Sequence, residues 1–177
     1  MSWVALFVET GKEDAVKKLT KLFFAYKSQP IKCLVPKKIV SEKKNGIVYE
    51  VQKVLIPGYI FIQTDFSPKI YYLLRSIPNV FYVVKSGNFK WDQSNNFFSE
   101  IPIDEMNWIL NLTNELGIIE YSDVVLLPNH QVKVIAGPLL GKESIIRKVN
   151  VRKRRAKIKV TLLGEQKLLD VGVNFIE

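Results

Sequence analysis

Between Arg147 and Lys159 the sequence sets eight Lys or Arg among thirteen positions and no acidic residue. Its centre is Arg152-Lys153-Arg154-Arg155, followed at once by Ala156-Lys157-Ile158-Lys159. Side chains of this kind bind anions: each guanidinium is a fork matched to phosphate oxygens or a guanine edge, and each ammonium is a point charge. From Ala156 to Leu162, Ala156, Ile158, Val160 and Leu162 alternate with Lys157, Lys159 and Thr161. A strand with that alternation turns its apolar set inward and both lysines outward. A solubilising surface does not need four consecutive cations with only distant acidic neighbours, so a nucleic-acid backbone is the expected ligand. The candidate contacts are Lys142, Arg147, Lys148, Arg152, Lys153, Arg154, Arg155, Lys157 and Lys159. RNA is favoured over duplex DNA, because no recognition helix accompanies the run and RNA hairpins are read by shape and backbone. Phe175 is the sole aromatic of the last 49 residues, which disfavours stacking on unstructured single strands.

Other chemistry finds little support. The sole histidine, His130, has no acid or nucleophile partner near it in sequence, and the sole cysteine, Cys33, sits beside apolar Leu34 and Val35. There is no P-loop, dinucleotide fingerprint or zinc-ligand spacing, so neither an enzyme nor a cofactor is expected. A single cysteine excludes an internal disulfide and suits a reducing cytoplasm. No apolar run approaches the ~18 residues of a membrane span, and Trp3 to Val8 lacks the flanks of a signal peptide. The expectation is a soluble, cytoplasmic monomer without membrane contact.

The cations need a scaffold, and the charge distribution outlines one. Residues 1–115 carry 15 basic and 11 acidic side chains, 116–128 none and two, and 129–177 eleven and four, so the partial charges are +4, −2 and +7. Trp3 to Glu9 reads as a strand, and Thr10-Gly11-Lys12-Glu13 has capping-box spacing ahead of a helix. Ala15, Val16, Leu19, Leu22, Phe23 and Tyr26 recur at helical spacing as its inner face. Ile31 to Val35 is a second strand. Ile39-Val40 and Ile47 to Leu55 flank Asn45-Gly46, which tolerates positive φ in a hairpin turn; Lys37, Lys38, Lys43 and Lys44 make that hairpin basic.

Tyr59 to Ile62 is too apolar for a strand with a wet side and is expected at the centre of a sheet. Ser67-Pro68 starts a second helix, Pro78 stops it, Val80 to Val84 returns to strand, and a third helix is expected from Asp104 to Leu116 with Met106, Ile109, Leu110 and Leu116 on one side. Alternating strands and helices give an α+β chain, with an α/β sandwich over 1–115. Residues 116–128 are expected as a linker. Short strands at Val132–Ile135, Ser144–Val151, Ala156–Leu163 and Gln166–Asp170 then suggest a small β-barrel over 129–177.

Val132-Lys133-Val134-Ile135-Ala136-Gly137-Pro138-Leu139-Leu140-Gly141-Lys142-Glu143 resembles the KOW motif, a strand, glycine turn and strand of an SH3-like barrel. Gly137 and Gly141 stand where tight turns are expected to leave no room for a side chain. Leu55-Ile56-Pro57-Gly58-Tyr59-Ile60-Phe61-Ile62 and Leu74-Arg75-Ser76-Ile77-Pro78-Asn79-Val80 resemble the N-terminal domain of NusG-type transcription elongation factors. The two in this order cover nearly the whole chain. The resemblance implies an N-terminal domain with a mainly antiparallel sheet that docks on the clamp helices of RNA polymerase and suppresses pausing, and a KOW domain that recruits partners. Carried over by motif position, Ile56 and Tyr59 would face polymerase, and Ile70, Tyr71 and Tyr72 would reach its opposite lobe. The hairpin lysines would face polymerase or upstream or non-template DNA, or simply keep an edge soluble. The chain departs from the family at Ser144, where a KOW glycine is usual, at Leu139, where an aromatic is usual, and in the basicity of Arg147 to Lys159. In these it is similar to specialised antiterminators of the LoaP type, which implies a barrel that grips a nascent RNA hairpin at selected operons. The alternative is a general elongation factor whose KOW domain binds proteins.

Overall fold

The computed structural model describes residues 1–85 and 100–177. In chain order the elements are β1 (Ser2–Val8), α1 (Glu13–Tyr26), β2 (Lys32–Leu34), β3 (Lys37–Lys44), β4 (Ile47–Val54), β5 (Tyr59–Thr64), α2 (Pro68–Arg75), β6 (Val80–Val83), α3 (Ile103–Leu112), β7 (Ile118–Ile119), β8 (Ser122–Leu126), β9 (Val132–Ala136), β10 (Ile146–Asn150), β11 (Arg155–Leu162) and β12 (Glu165–Phe175). This is the expected mixed α+β chain. It falls into two compact units: Met1–Val35 with Ile56–Met106 and Leu162–Gly164, and Pro36–Leu55 with Asn107–Thr161 and Glu165–Glu177. The basic hairpin therefore belongs with the C-terminal strands, although its place in the sequence puts it inside 1–115.

The first unit is built on a sheet of order β2-β5-β1-β6. β1 and β5 are its middle strands and run antiparallel, with Val4 opposite Ile62 and Leu6 opposite Ile60. Covered on both faces, Ile60, Phe61 and Ile62 are fully buried, which is why this segment shows no apolar-polar alternation. α2 begins as expected: the Ser67 hydroxyl accepts from the Ile70 amide at 3.2 Å, with Pro68 at the first helical position. The start of α1 differs. Lys12 is its N-cap and makes no side-chain cap; Glu13 is buried instead, and its carboxylate accepts from the Gly11 amide at 2.9 Å and the Gly58 amide at 2.8 Å. Its acceptors serve two loops, so no capping box forms with Thr10. The buried stripe is Glu13, Val16, Thr20 and Phe24, while Leu22, Phe23 and Tyr26 are exposed. Thr20 can be buried because its hydroxyl donates to the Val16 carbonyl at 2.7 Å.

α3 ends at Leu112, one turn short of the expected Leu116, and Met106, Ile109 and Leu112 are buried whereas Leu110 and Leu116 are exposed. Asn114 stops it: its Oδ1 accepts from the amides of Leu116 and Ile118, and this side-chain turn replaces helical carbonyl partners.

The second unit holds two sheets. β3 and β4 form the hairpin, paired from Lys37↔Val54 to Lys44↔Ile47, with Asn45 and Gly46 at positive φ in the two-residue turn. β7 lies parallel to β3. The other sheet has five strands in the order β10-β11-β12-β8-β9 and curls as a small SH3-like domain does. β8 occupies 122–126 inside the expected linker. It lies between β12 and β9, parallel to the former and antiparallel to the latter, with Ser122 and Val124 buried. Five residues of weak alternation without a flanking cation carried too little signal to mark it as a strand. β12 runs to Phe175, well past Asp170, because it must pair with β8 at Val173↔Ser122 and Phe175↔Val124. The Gly137 turn is tight: φ is +98, and a Cβ there would meet Ser122 Cα and the Tyr121 carbonyl at 2.7 Å. Gly141 has open space around it, so its φ of +73 and not crowding makes glycine suitable there.

Candidate nucleic-acid interface

β11 has the expected alternation. Ala156, Ile158, Val160 and Leu162 are buried while Lys157 is exposed and Lys159 half-buried. β10 pairs with it antiparallel, and Lys148 falls directly opposite Lys157. Like charges facing each other across a ladder repel, and the nearest acid is Asp170, 4.0 Å from Lys157 Nζ. The register shifts by one residue between Ile146 and Lys148, which makes Arg147 the extra residue of a β-bulge. Its Nη1 donates to the Ser144 carbonyl at 2.9 Å. Bulges re-aim side chains, so Arg147 leaves the regular ladder beside Lys148.

Arg152, Lys153 and Arg154 occupy the turn between β10 and β11 and are all exposed. The Asn150 side chain accepts from the Lys153 amide at 2.9 Å, the Arg154 amide donates to the Val151 carbonyl, and Arg154 takes the left-handed φ of 51. Backbone bonds thus set the turn, and its three cationic side chains are not used to build it. Among the described residues Lys148, Arg152, Lys153, Arg154 and Lys159 make no ion pair. Lys142 stands apart, with Nζ donating to the Pro138 carbonyl at 3.1 Å.

Arg155 does not belong to this free face. Its Nη2 lies 3.4 Å from the Ser41 carbonyl and 3.7 Å from Glu42 Oε1, its Nε is buried without a partner, and only 20% of its side chain is exposed. β3 of the hairpin takes it up. Further bonds join the same strands: Lys38 Nζ donates to the Asp170 carbonyl at 2.7 Å, and the hydroxyls of Ser41 and Tyr121 are 2.8 Å apart. Burial lowers the Lys38 pKa, with Asp170 opposing the shift. Lys53 pairs with Glu42 and, by hydrogen bonding first, holds that carboxyl below its ordinary range, helped by Arg155. Of the four hairpin lysines, Lys43 and Lys44 at the tip are exposed.

The residues expected to face polymerase divide in the same way. Ile56, Ile70 and Tyr71 are buried and belong to the core of their unit, where their apolar bulk fills the interior and leaves little surface for the expected contact. Tyr72 is 60% exposed and stacks edge-on against Tyr71 at 5.3 Å. Tyr59 is half-buried and meets Phe7 edge-on at 5.4 Å. Phe7 also touches Phe81 at 5.7 Å and Tyr82 at 5.1 Å. Phe81 and Tyr82 are each about half exposed, at 52% and 49%. Sequence reasoning passed over Phe7, Phe81 and Tyr82. The signal is Phe81-Tyr82 as two adjacent aromatics in one short strand; the register shift between Phe7 and Val8 makes Phe81 the extra residue of a bulge, which brings both rings to Phe7.

Cys33 is pushed up to about 11 by burial, against the opposing effect of Lys21 and Lys17, which makes it an unreactive thiol at neutral pH. His130 lies in the β8–β9 loop with φ of 60. Among the described residues no three His, Cys, Asp or Glu side chains gather to hold a metal ion, and no helix is long and apolar enough to cross a membrane.

Residues 1–110, more than half of the chain, match the family model described as transcription termination factor nusG. The transcription termination/antitermination protein NusG of Thermus thermophilus is 27% identical over 94% of this chain and 92% of its own length. That of Staphylococcus carnosus is 23% identical over 99% and 94%. A solved structure described as domain interaction in Thermotoga maritima NusG aligns with 97% of this chain and 93% of its own at a TM-score of 0.51 and 20% identity, a likeness of fold. With the family model covering both the β1–α1 start and the β5–α2–β6 segment, the chain belongs to the NusG family of transcription termination and antitermination factors.

Proposed function

We propose that the chain is a specialised antitermination factor of the LoaP type, which docks on RNA polymerase through residues 1–115 and holds a nascent RNA hairpin through the basic face of 129–177. The observation that carries this reading is the pairing of Lys148 with Lys157 beside three exposed turn cations. Such an arrangement is costly until a polyanion neutralises it. The Arg152, Lys153 and Arg154 side chains reach outward from a turn, the geometry for straddling phosphates across an A-form groove. Phe7, Tyr59, Phe81 and Tyr82 supply the aromatic surface for polymerase, since Tyr suits an interface that is apolar at its centre and wet at its rim. Lys43 and Lys44 remain available to upstream or non-template DNA. Binding RNA and polymerase at once raises the effective concentration of the factor at its target.

The test is run-off transcription over leader templates that encode an RNA hairpin upstream of a terminator. The full chain is expected to raise readthrough. The triple variant Arg152→Ala, Lys153→Ala, Arg154→Ala is expected to lose that effect while still binding polymerase. Readthrough equal to that of the unaltered chain would eliminate the RNA tether and leave the KOW domain as a protein-binding module.

A further inference from the structure

We propose that the seam between β9 and β10 reads one unpaired guanine of the bound RNA, an inference that rests on the RNA-binding reading above. In the order β10-β11-β12-β8-β9 these two strands are the edges of the sheet. Between them lies a cleft of about 430 Å³ lined by His130, Val132, Glu143, Arg147, Lys148 and Val149 among others. That size is within the range of small-ligand sites, ~300–1,000 Å³. A base splayed out of an RNA loop needs apolar or planar surfaces for its faces and fixed polar groups for its edge. Val132 and Val149 supply the first, and His130 adds an aromatic plane.

The polar groups select guanine. Glu143 Oε1 accepts from the Val134 amide on the β9 edge at 3.1 Å, which anchors the carboxylate and leaves Oε2 as an acceptor. Arg147, the extra residue of the bulge, is held by its bond to the Ser144 carbonyl, and the rest of its guanidinium fork donates. Guanine has a donor at N2 and acceptors at O6 and N7, so a carboxylate at one edge and a guanidinium at the other complete it. Adenine presents an amino group where guanine presents O6, and so sets a donor against the arginine. The backbone beside the cleft is in an uncommon conformation: Asn129 and His130 both take left-handed φ, at 64 and 60, and the Leu127 amide closes the loop on the Gln131 carbonyl at 2.7 Å. Two successive left-handed residues carry a cost in backbone energy, and such strain gathers where a ligand must be met.

The experiment is an amide-resolved NMR titration of the full chain with 5′-GMP, 5′-AMP and 5′-UMP. Expected are shifts at residues 130–134 and 143–149, with GMP binding at least fivefold more tightly than the other two. Glu143→Gln keeps a carbonyl to accept from the Val134 amide but sets an NH2 against the donors of guanine, so the preference should vanish with the fold intact. Equal affinity for the three nucleotides, or shifts confined to residues 152–157 as phosphate alone would give, overturns the guanine site. Because the probes are free nucleotides, that result leaves RNA binding by the turn cations standing. A chain that prefers GMP yet lacks salt-dependent affinity for RNA upholds the guanine site and refutes the RNA reading.

Discussion

Replacing Arg152, Lys153 and Arg154 with alanine removes three exposed cations from a turn whose geometry depends on backbone bonds and on Asn150. The fold should survive, so any loss belongs to binding. Each phosphate neutralised contributes about 0.7 to 0.9 to the slope of log K against log salt. Losing three contacts should flatten that slope by about 2 to 3 and, at about 0.1 M salt, reduce affinity roughly 100-fold. Fluorescence anisotropy of a labelled RNA hairpin against the full chain, repeated over a range of salt, measures both. Arg155→Ala is the decisive comparison. By sequence it is a fourth member of the run; by structure it is spent on Ser41 and Glu42. Its slope should change by less than about 0.5, while amide exchange along β3 quickens because the hairpin loses a partner. Equal flattening by Arg155→Ala and by one of the turn substitutions would mean that Arg155 meets RNA phosphates and is not held by the hairpin.

Three further outcomes follow from burial. Tyr82→Ala should weaken polymerase binding at least tenfold while costing only about 1 kcal/mol of stability from its lost stacking on Phe7, whereas Ile70→Ala, in the core, should cost about 2–5 kcal/mol. Chemical denaturation and polymerase pull-down of the two variants separate these effects. Gly137→Ala combines a left-handed φ with backbone at 2.7 Å and should cost more than about 3 kcal/mol, against about 1 kcal/mol for Gly141→Ala, which meets open space. The Cys33 thiol, raised to about 11 from 9.0, should be alkylated about 100-fold more slowly at pH 8 than an unburied thiol, with the rate climbing towards pH 11. The folded thiol holds its proton more tightly than the unfolded one. Its contribution to stability is therefore whole below pH 9.0 and falls as the pH rises through about 11.

What the sequence shows plainly is what depends on neighbours along the chain. The Asn45-Gly46 turn, the Ser67 cap, the buried run of β5 and the alternation of β11 all appear where short-range patterns place them. What it hides depends on partners far away. Arg155 and Ser41 are separated by 114 positions, and Lys38 and Asp170 by 132. No local pattern distinguishes an arginine that will meet a carbonyl from one left in water. The same limit explains Glu13, whose carboxylate serves the distant Gly58 amide and so never forms the box its spacing suggests. β8 escapes short-range patterns for a related reason: a five-residue strand in the middle of a sheet is held by its neighbours on both sides, not by its own pattern. It also makes 129–177 too short to be a unit, since that fragment lacks the strand between β12 and β9.

Salt should act on the free and the bound protein with opposite signs. In the free chain Lys148 and Lys157 face each other with Asp170 at 4.0 Å as the nearest relief, a repulsion of about 0.2–1 kcal/mol that added salt screens. With RNA bound, the phosphates supply the missing negative charge, and the chain gains stability by mass action, about 2.7 kcal/mol at a ligand concentration 100 times Kd. Added salt then removes stability, because it weakens the complex faster than it relieves the lysines. Melting curves at rising salt should therefore climb slightly for the protein alone and fall for the protein with a hairpin. A protein-binding KOW domain would keep the first trend and show no second, so the crossing of the two curves separates an RNA grip from incidental charge.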